Sequence, residues 1–244
     1  MNSSNYIGLT EVDLDQPIYR IFSLERFFQV LDKKQLTLVK PHLWDDPFEN
    51  VLLKSEFKTA SNETAVFEAH DSVYGQCWTQ HAESDAMWRI YSPHKNGVRL
   101  QTTPRKLLAA LQTNIHEHSE LYCFIGKVIY AANENHLKEF LQEINLTATD
   151  GTGIAQSLLY KRKEFEHEQE IRLIYSGSDG KCPNNIFNFS IEPNTLFDSV
   201  MFDPRIDESL RKACTAAIQN LSCNIKTEKS NLYDLPNGFS FNLH

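Results

Sequence analysis

The sequence lacks the short motifs that identify many common enzyme classes. It contains no C-x-x-C pair, no P-loop, and none of the patterns G-x-G-x-x-G, G-x-S-x-G or H-E-x-x-H. Each of these patterns builds a particular site, such as a zinc ribbon, a phosphate-binding loop or the elbow of a catalytic serine. Their absence disfavours kinases, dehydrogenases, lipases and zinc proteases.

Long apolar runs and targeting signals are also missing. No run approaches the roughly 18 apolar residues that a membrane span needs, and no basic and apolar signal segment opens the chain. The five cysteines are widely spaced and odd in number, which favours free thiols in a reducing compartment. We therefore expect a cytoplasmic protein with no membrane partner.

Basic residues are fewer than acidic ones, because the sequence has 24 Lys and Arg but 32 Asp and Glu, which gives a formal net charge of −8. An acidic surface repels phosphate backbones at long range, so nucleic-acid binding is disfavoured. The best local exception is Lys161-Arg162-Lys163, which is either a small basic patch or the solvated end of a helix.

Apolar and aromatic residues are abundant enough for a sizeable core, with 15 Phe, 9 Tyr and 3 Trp in 244 residues. Strand and helix patterns intermix without regular βαβ spacing. We predict a flexible segment over residues 1–17 and a single α+β domain over residues 18–244, with a mixed or antiparallel central sheet and surrounding helices. Near the candidate site we predict a helix around 153–162 and a strand over 168–175.

Acidic and basic residues alternate in Glu168-x-Glu170-x-Arg172. On a strand, these three side chains project from one face. Two carboxylates about 7 Å apart along a strand raise each other's pKa, while Arg172 lowers both. Such a pair suits general-base catalysis or stabilisation of a cationic transition state. The alternative is a solvent-exposed strand face with charged cross-strand pairs.

Two aromatic segments are further candidates. In Met87-Trp88-x-x-Tyr91-Ser92, Trp88 and Tyr91 share one side of a helix, as a wall for a flat ligand or as core packing. Arg20 lies within the aromatic strand pattern Tyr19-Arg20-Ile21-Phe22. It either reaches a partner such as a phosphate or points outward between two inward aromatics.

Acidic residues cluster in Asp45-Asp46-Pro47-Phe48-Glu49. They could bind a metal, but Asp46 as the cap of a helix that starts at Pro47 explains the pattern without one. His116-x-His118 and His167 have no third ligand at a recognised spacing. We therefore expect no metal.

In chain order, these segments are similar to the motifs of one family. The order is Tyr19-Arg20-x-Phe22, Leu36-Thr37-Leu38, Trp44-x-Asp46-Pro47-Phe48-Glu49, Cys77-Trp78-Thr79, Met87-Trp88-x-x-Tyr91, Gly97-Val98-x-Leu100 and Lys161-x-Lys163-x-Phe165-x-x-Glu168-x-Glu170-x-Arg172. The chain resembles the bacterial domain-of-unknown-function family numbered 2971 from about residue 18 to residue 230. Departures such as Trp44 for the usual Phe, and Phe165 for Trp or Tyr, remove no charged motif residue.

A more distant resemblance is to ADP-ribosyltransferase-like enzymes, which carry an Arg or His on the first strand, a Ser- or Tyr-containing segment mid-chain and a Glu on a late strand. It implies NAD as substrate, with Arg20 on the pyrophosphate or ribose and Tyr91 on nicotinamide. It also implies that Glu170 stabilises the oxocarbenium-like transition state and that Glu168 orients or deprotonates the acceptor. The other predicted site residues are Trp88, Ser92 and Arg172 for binding, and Asp46 and Glu49 for support.

Three hypotheses about function remain open. The first is an NAD-using ADP-ribosyltransferase-like enzyme, a toxin or phage-defence effector with an unidentified macromolecular acceptor, in which Glu170→Gln abolishes turnover with little change in stability. The second is a metal-dependent nuclease, which requires convergence of Asp46, Glu49, Glu168 and Glu170. The third is a non-catalytic sensor or interaction module, in which the motif charges form a buried structural network.

Overall fold

The computed structural model describes residues 5–44, 46–50, 56–58, 64–66, 72–115, 118–146, 148–177, 185–235 and 238. Its main feature is a ten-stranded sheet in which most neighbouring strands are antiparallel. Helices pack around this sheet, which confirms the predicted α+β class. In the described part of the chain, no helix combines the length and the apolar character needed to cross a membrane.

The strands are β1 (Tyr6–Ile7), β2 (Ile18–Phe22), β3 (Gln35–Val39), β4 (Glu56–Lys58), β5 (Thr64–Val66), β6 (Tyr74–Thr79), β7 (Val98–Thr102), β8 (Cys123–Lys127), β9 (Ile129–Ala131), β10 (Tyr160–Arg162), β11 (Glu170–Tyr175), β12 (Ile186–Ser190), β13 (Ser199–Phe202) and β14 (Lys226–Glu228). The α-helices are α1 (Leu24–Lys33), α2 (Asp85–Tyr91), α3 (Pro104–Gln112), α4 (Ser119–Tyr122), α5 (Glu134–Glu143), α6 (Thr152–Ser157), α7 (Pro193–Leu196) and α8 (Glu208–Asn220). Short 3-10 helices cover Asp13–Asp15, Pro41–Leu43, Pro47–Asn50 and Lys163–Glu168.

Capping side chains set the starts of several helices. The Ser23 hydroxyl accepts a hydrogen bond from the Arg26 amide at the start of α1. The Asp46 carboxylate accepts from the Phe48 amide at 3.1 Å. The predicted cap is therefore confirmed, although the helix that follows is a single 3-10 segment, Pro47–Asn50.

The main sheet splits beside β6, and this split creates the candidate site. The strand order is β1-β8-β11-β6-β2-β7-β13-β14, with β3 and β12 branching from β6. One edge of β6 pairs with β11 along its whole length. The other edge pairs with β2 only at Thr79 and with β3 only at Gly75. Between these points, the Gln76 side chain donates to the Thr37 carbonyl at 3.0 Å.

Two hydrophobic clusters hold the sheet and its helices together. The larger one includes Trp78, Leu100 and Leu173, all almost fully buried. The smaller one includes Phe124 and Leu158. Burying one large apolar side chain contributes about 1.5–3 kcal/mol, so these clusters fix the strands whose edges form the split.

The chain departs from the predicted elements just before β11. Residues 153–162 were expected to form one helix, but α6 ends at Ser157 and β10 pairs in parallel with β9. The predicted strand over 168–175 begins only at Glu170, because the chain turns at Gln169, which has a φ of 43°. Strand alternation therefore aligns Glu170 with Arg172 but does not extend to Glu168.

Some of the first 17 residues adopt regular structure. β1 pairs with β8, and Asp13–Asp15 forms a 3-10 helix. The flexibility of this segment stays a prediction, as does the single-domain boundary at residue 18. The four cysteines in the described ranges carry free thiols, and Cys182 lies outside those ranges.

Candidate functional site

A cavity of about 480 Å³ opens at the split in the sheet. Binding sites for small molecules usually measure about 300–1,000 Å³. The walls come from β2, β6, α2, residues 39–49 and residues 161–170. The predicted site residues that line the cavity are Arg20, Asp46, Glu49, Tyr91, Glu168 and Glu170.

Arg172 lies under the cavity and binds two of its carboxylates. Its side chain is fully buried, and Nη2 lies 2.6 Å from Glu170 Oε2 and 2.8 Å from Glu49 Oε2. Nη1 donates to the Leu158 carbonyl at 2.6 Å. Because β11 places Glu170 and Arg172 on one face, local sequence brings this pair together, while Glu49 arrives from a distant segment.

Trp44 covers the other side of the Arg172 guanidinium, at 4.5 Å from the ring centroid. The indole fits there because residue 75 is glycine. A Cβ atom at Gly75 would lie 2.6 Å from Trp44 Cζ2, inside van der Waals contact. Trp44, one of the departures from the family's usual Phe, thus takes part in a cation–π contact.

Lys161 joins the three carboxylates that converge on the cavity. Its Nζ lies 2.5 Å from Glu168 Oε2, 3.0 Å from Glu49 Oε1 and 3.7 Å from Glu170 Oε2. The ammonium also packs 4.5 Å from the centroid of the Phe165 ring. We did not predict Lys161 as a site residue, and its place at the start of a family motif was the only sequence signal.

We call Glu49, Glu168, Glu170, Lys161 and Arg172 the carboxylate cluster. Three carboxylates and two cations give it a formal charge of −1. Burial alone would raise the pKa of Glu170, but Arg172 and Lys161 bring it below its ordinary value. At Glu49, burial outweighs both cations and raises the pKa. On acidification, Glu49 therefore takes up a proton before Glu170.

Tyr91 connects α2 with the carboxylate cluster. Its hydroxyl donates to Glu168 Oε1 at 3.0 Å, while 44% of its surface remains exposed. Burial of the hydroxyl end and the nearby Glu168 carboxylate raise the pKa of Tyr91, so the phenol stays protonated. An exposed ring at the mouth of a cavity, fixed by its hydroxyl, is suited to stack on a flat ligand.

Arg205, which the sequence did not indicate, holds the C-terminal end of α2. Its Nη2 donates to the Trp88 carbonyl at 3.0 Å and to the Ser92 carbonyl at 3.1 Å. The same guanidinium forms a bidentate pair with Asp203. A cationic donor at a helix C-terminus interacts favourably with the last carbonyls and with the helix dipole, so this contact fixes the end of the helix that carries Tyr91.

Trp88 and Ser92, which we predicted as binding residues, do not line this cavity. Trp88 is only 1% exposed, and its indole N–H donates to Glu83 at 3.4 Å. The Ser92 hydroxyl accepts from the Gly97 amide at 2.8 Å and shapes a turn. The cavity side of α2 instead carries Met87, Ile90 and Tyr91. Core packing, the alternative for Trp88, describes its position.

Arg20 takes the inward of its two predicted orientations. Its Nη1 donates to the Cys77 carbonyl, and its Nε is buried without a hydrogen-bond partner. Among the described residues, no carboxylate lies within 4.0 Å of its guanidinium. Burial lowers the pKa of Arg20, and nearby groups that include Glu170 partly offset this effect, so Arg20 lies near the carboxylate cluster on the lining of the same cavity.

Asp46 stands apart from the other predicted acids. Its Oδ1 accepts from Arg162 Nη2 at 3.0 Å, and the Arg162 guanidinium packs 4.7 Å from the centroid of Phe48. With Lys161 buried and Arg162 paired, only Lys163 of the basic run is freely exposed. The run is thus neither a basic patch nor a helix end.

The nuclease hypothesis required four acids to converge. Glu49, Glu168 and Glu170 do converge, but on Lys161 and Arg172, whose N–H groups take the lone pairs that a metal would need. The described residues contain no group of three or more His, Cys, Asp or Glu suited to hold a metal ion. Asp45 and His116 lie outside the described ranges.

Comparison with known proteins supports the resemblance seen in the motifs. The family model described as "Protein of unknown function (DUF2971)" matches residues 87–173, from α2 to β11. A search of curated proteins gives no significant match.

Solved structures of DarT from Thermus sp. 2.9 show a weak likeness. The complex with ADP-ribosylated ssDNA is 11% identical, covers 88% of this chain and 94% of that chain, and has a TM-score of 0.42. The carba-NAD+ complex is 12% identical, covers 91% and 96%, and scores 0.39. The NAD+ complex is 11% identical, covers 88% and 96%, and also scores 0.39. These scores are too low for the likeness to support a conclusion about function.

Proposed function

We propose that the protein is an NAD-using ADP-ribosyltransferase-like enzyme that cleaves the bond between nicotinamide and ribose. The observation that carries this proposal is the presence of opposite charges on the lining of one cavity. Arg20, which has no ion pair among the described residues, lines the same cavity as the glutamates of the carboxylate cluster, whose formal charge is −1. NAD has the matching pattern, since its pyrophosphate is anionic and its ribose becomes cationic as nicotinamide leaves.

Four of the six predicted residues that line the cavity have a direct role in this reaction. The Arg20 guanidinium binds the pyrophosphate, because its free N–H groups match paired anionic oxygens. The exposed ring of Tyr91 stacks on nicotinamide. The Glu170 carboxylate, kept ionised by its cations, stabilises the oxocarbenium-like ribose. Glu168, held by Tyr91 and Lys161, orients the acceptor.

The proposal is tested by NAD binding and nicotinamide release in the wild type and in Glu170→Gln. Removing one preorganised electrostatic group from a site costs about 10²–10³-fold in turnover, so we expect a loss of that size with NAD affinity changed only a few-fold. Glu166→Gln is the matched control, because Glu166 is exposed on the adjacent 3-10 helix. Turnover in Glu170→Gln above one tenth of the wild-type rate would contradict the assigned role.

The contacts of Glu170 change the expectation that Glu170→Gln has little effect on stability. Glu170 is buried and accepts hydrogen bonds from Arg172, so a neutral amide weakens that interaction. We expect a loss of about 1–3 kcal/mol in the free energy of unfolding. Rates should therefore be compared well below the thermal midpoint of the variant.

The non-catalytic hypothesis also has an observation in its favour. Every charge of the Glu168-x-Glu170-x-Arg172 motif is buried and has an internal partner, as in a structural network. Measurements on the wild type alone distinguish an enzyme from a non-catalytic protein. NAD that raises the thermal midpoint without releasing nicotinamide would indicate a binding module, and no effect of NAD at all would indicate an interaction module.

The proposal includes a toxin or phage-defence effector as the biological setting. Expression of the wild type should then arrest bacterial growth, whereas Glu170→Gln should not and Glu166→Gln should. Radioactive label transferred from the adenylate of NAD in a cell extract would show whether the acceptor is protein, nucleic acid or water. Growth arrest that persists in Glu170→Gln would argue against toxicity through this reaction.

A further inference from the structure

The three carboxylates of the cluster come from two separate regions of the chain, and one side chain contacts all of them. Arg172 pairs with Glu49 and Glu170. Within the described ion pairs, only Lys161 also reaches Glu168. Carboxylates that share one cation in a buried site repel each other strongly. The relative positions of Glu168 and Glu170 therefore depend on the Lys161 ammonium.

The backbone holds Lys161 in a fixed place relative to the cluster. β10 pairs in parallel with β9, with Lys161 opposite Tyr130. The Tyr130 hydroxyl in turn accepts a hydrogen bond from the Glu170 amide at 2.8 Å. The strand that presents the ammonium is thus tied to the strand that presents the carboxylate. Phe165 packs against the ammonium and limits its movement.

We propose that Lys161 is a positioning residue of this site, which holds Glu168 and Glu170 in one arrangement and supplies the positive charge between them. This role rests on the proposed function. Lys161 acts through the two glutamates and takes no part in bond breaking. The alternative is a purely structural role, in which the ammonium stabilises the fold without affecting the protonation of the site.

The charge balance distinguishes these two roles. The titratable and charged groups that face Lys161 or its partners are Arg20, Glu49, Cys77, Tyr91, Tyr130, Glu168, Glu170 and Arg172. Without the ammonium, three carboxylates keep one cation and the formal charge of the cluster changes from −1 to −2. Loss of a nearby opposite charge raises the pKa of a carboxyl group by about 1–3 units.

The experiment compares the pH dependence of nicotinamide release from NAD in the wild type, Lys161→Met, Lys161→Arg and Lys163→Met. In Lys161→Met we expect a kcat at neutral pH reduced at least tenfold with KM changed less. We also expect the acid limb of the profile to move up by about 1–3 pH units. Lys161→Arg keeps the charge and should restore the limb. Lys163 is exposed two residues away, and Lys163→Met should match the wild type.

A second variant separates charge from packing. Lys161→Met combined with Glu49→Gln restores the formal charge of −1, so its acid limb should return toward that of the wild type. An equal loss at every pH with an unmoved limb, or the same shift in Lys163→Met, would overturn the proposal. Failure of both Lys161→Met variants to fold while Lys161→Arg folds would assign a structural role and also overturn it.

The wild type separates failure of this inference from failure of the proposed function. A wild type that releases no nicotinamide and binds no NAD overturns both. A wild type that releases nicotinamide, with Lys161→Met showing the same rate and the same acid limb, overturns only the role of Lys161.

Discussion

Removal of the Arg172 guanidinium should destabilise the fold more than any other single change in the carboxylate cluster. Arg172 is fully buried and contacts Glu170, Glu49 and the Leu158 carbonyl. Breaking a buried ion pair by deleting one partner costs about 3–5 kcal/mol, because the remaining charge stays buried. We expect Arg172→Met to lose this amount in total, and not once for each of its two ion pairs. Lys161 still pairs with both carboxylates, and burial raises the pKa of Glu49, which favours its protonation.

Urea-induced unfolding at neutral pH measures this effect. A loss of about 3–5 kcal/mol is a large part of the roughly 5–15 kcal/mol that stabilises a typical domain, so the variant should still fold in the absence of urea. Adding Glu170→Gln removes one of the carboxylates left without its arginine. The double variant should therefore be more stable than the sum of the two single changes predicts, with a coupling of about 1–3 kcal/mol.

The control is Arg211→Met, because Arg211 lies on α8 and pairs with the exposed Glu208. Surface pairs of this kind contribute little, and we expect the unfolding curve to match that of the wild type. A loss in Arg172→Met of less than about 1 kcal/mol, or no coupling with Glu170→Gln, would refute the picture of a charge network that depends on Arg172.

Two further predictions concern α2 and acid pH. Trp88→Ala should cost about 3–5 kcal/mol of unfolding free energy because the indole is buried. Tyr91→Ala should mainly lower NAD affinity, roughly tenfold, because aromatic stacking on a flat ring contributes about 1–3 kcal/mol. Thermal unfolding measures the first effect and calorimetry of NAD binding measures the second. Since the pKa of Glu170 is lowered in the folded state, its stabilisation is complete above the ordinary Glu value and disappears as pH falls through the lowered one. The difference in unfolding free energy between wild type and Glu170→Gln should therefore close below about pH 4.5, and a constant difference down to pH 3 would contradict the lowered pKa.

Local patterns were sufficient to predict much of the fold. Helix α1 begins after the Ser23 cap, and α3 begins with Pro104 at its first position. These features depend on residues a few positions apart, which interact in the same way in any fold. The alternation of Glu170 and Arg172 on β11 is equally local, and the structure shows it.

Predictions were less successful at turns and where a distant segment selects the local structure. The left-handed turn at Gln169 removes Glu168 from the strand, and a non-glycine residue in that conformation leaves no clear sequence signal. The pattern of Tyr160, Lys161 and Arg162 was compatible with the end of a helix. Only pairing with β9, about 30 residues earlier in the chain, selects the strand.

The dependence on distant contacts also explains why the sequence pointed to the three glutamates of the carboxylate cluster but not to the lysine between them. A lysine in a charged run is normally solvated, so composition assigns Lys161 to the surface. Its burial is stable only because Glu49, which is 112 positions away, and Glu168 reach it together. No local pattern contains both of these contacts. The local pattern therefore predicts the glutamates and Arg172, whereas the position of Lys161 follows only from contacts between separate parts of the chain.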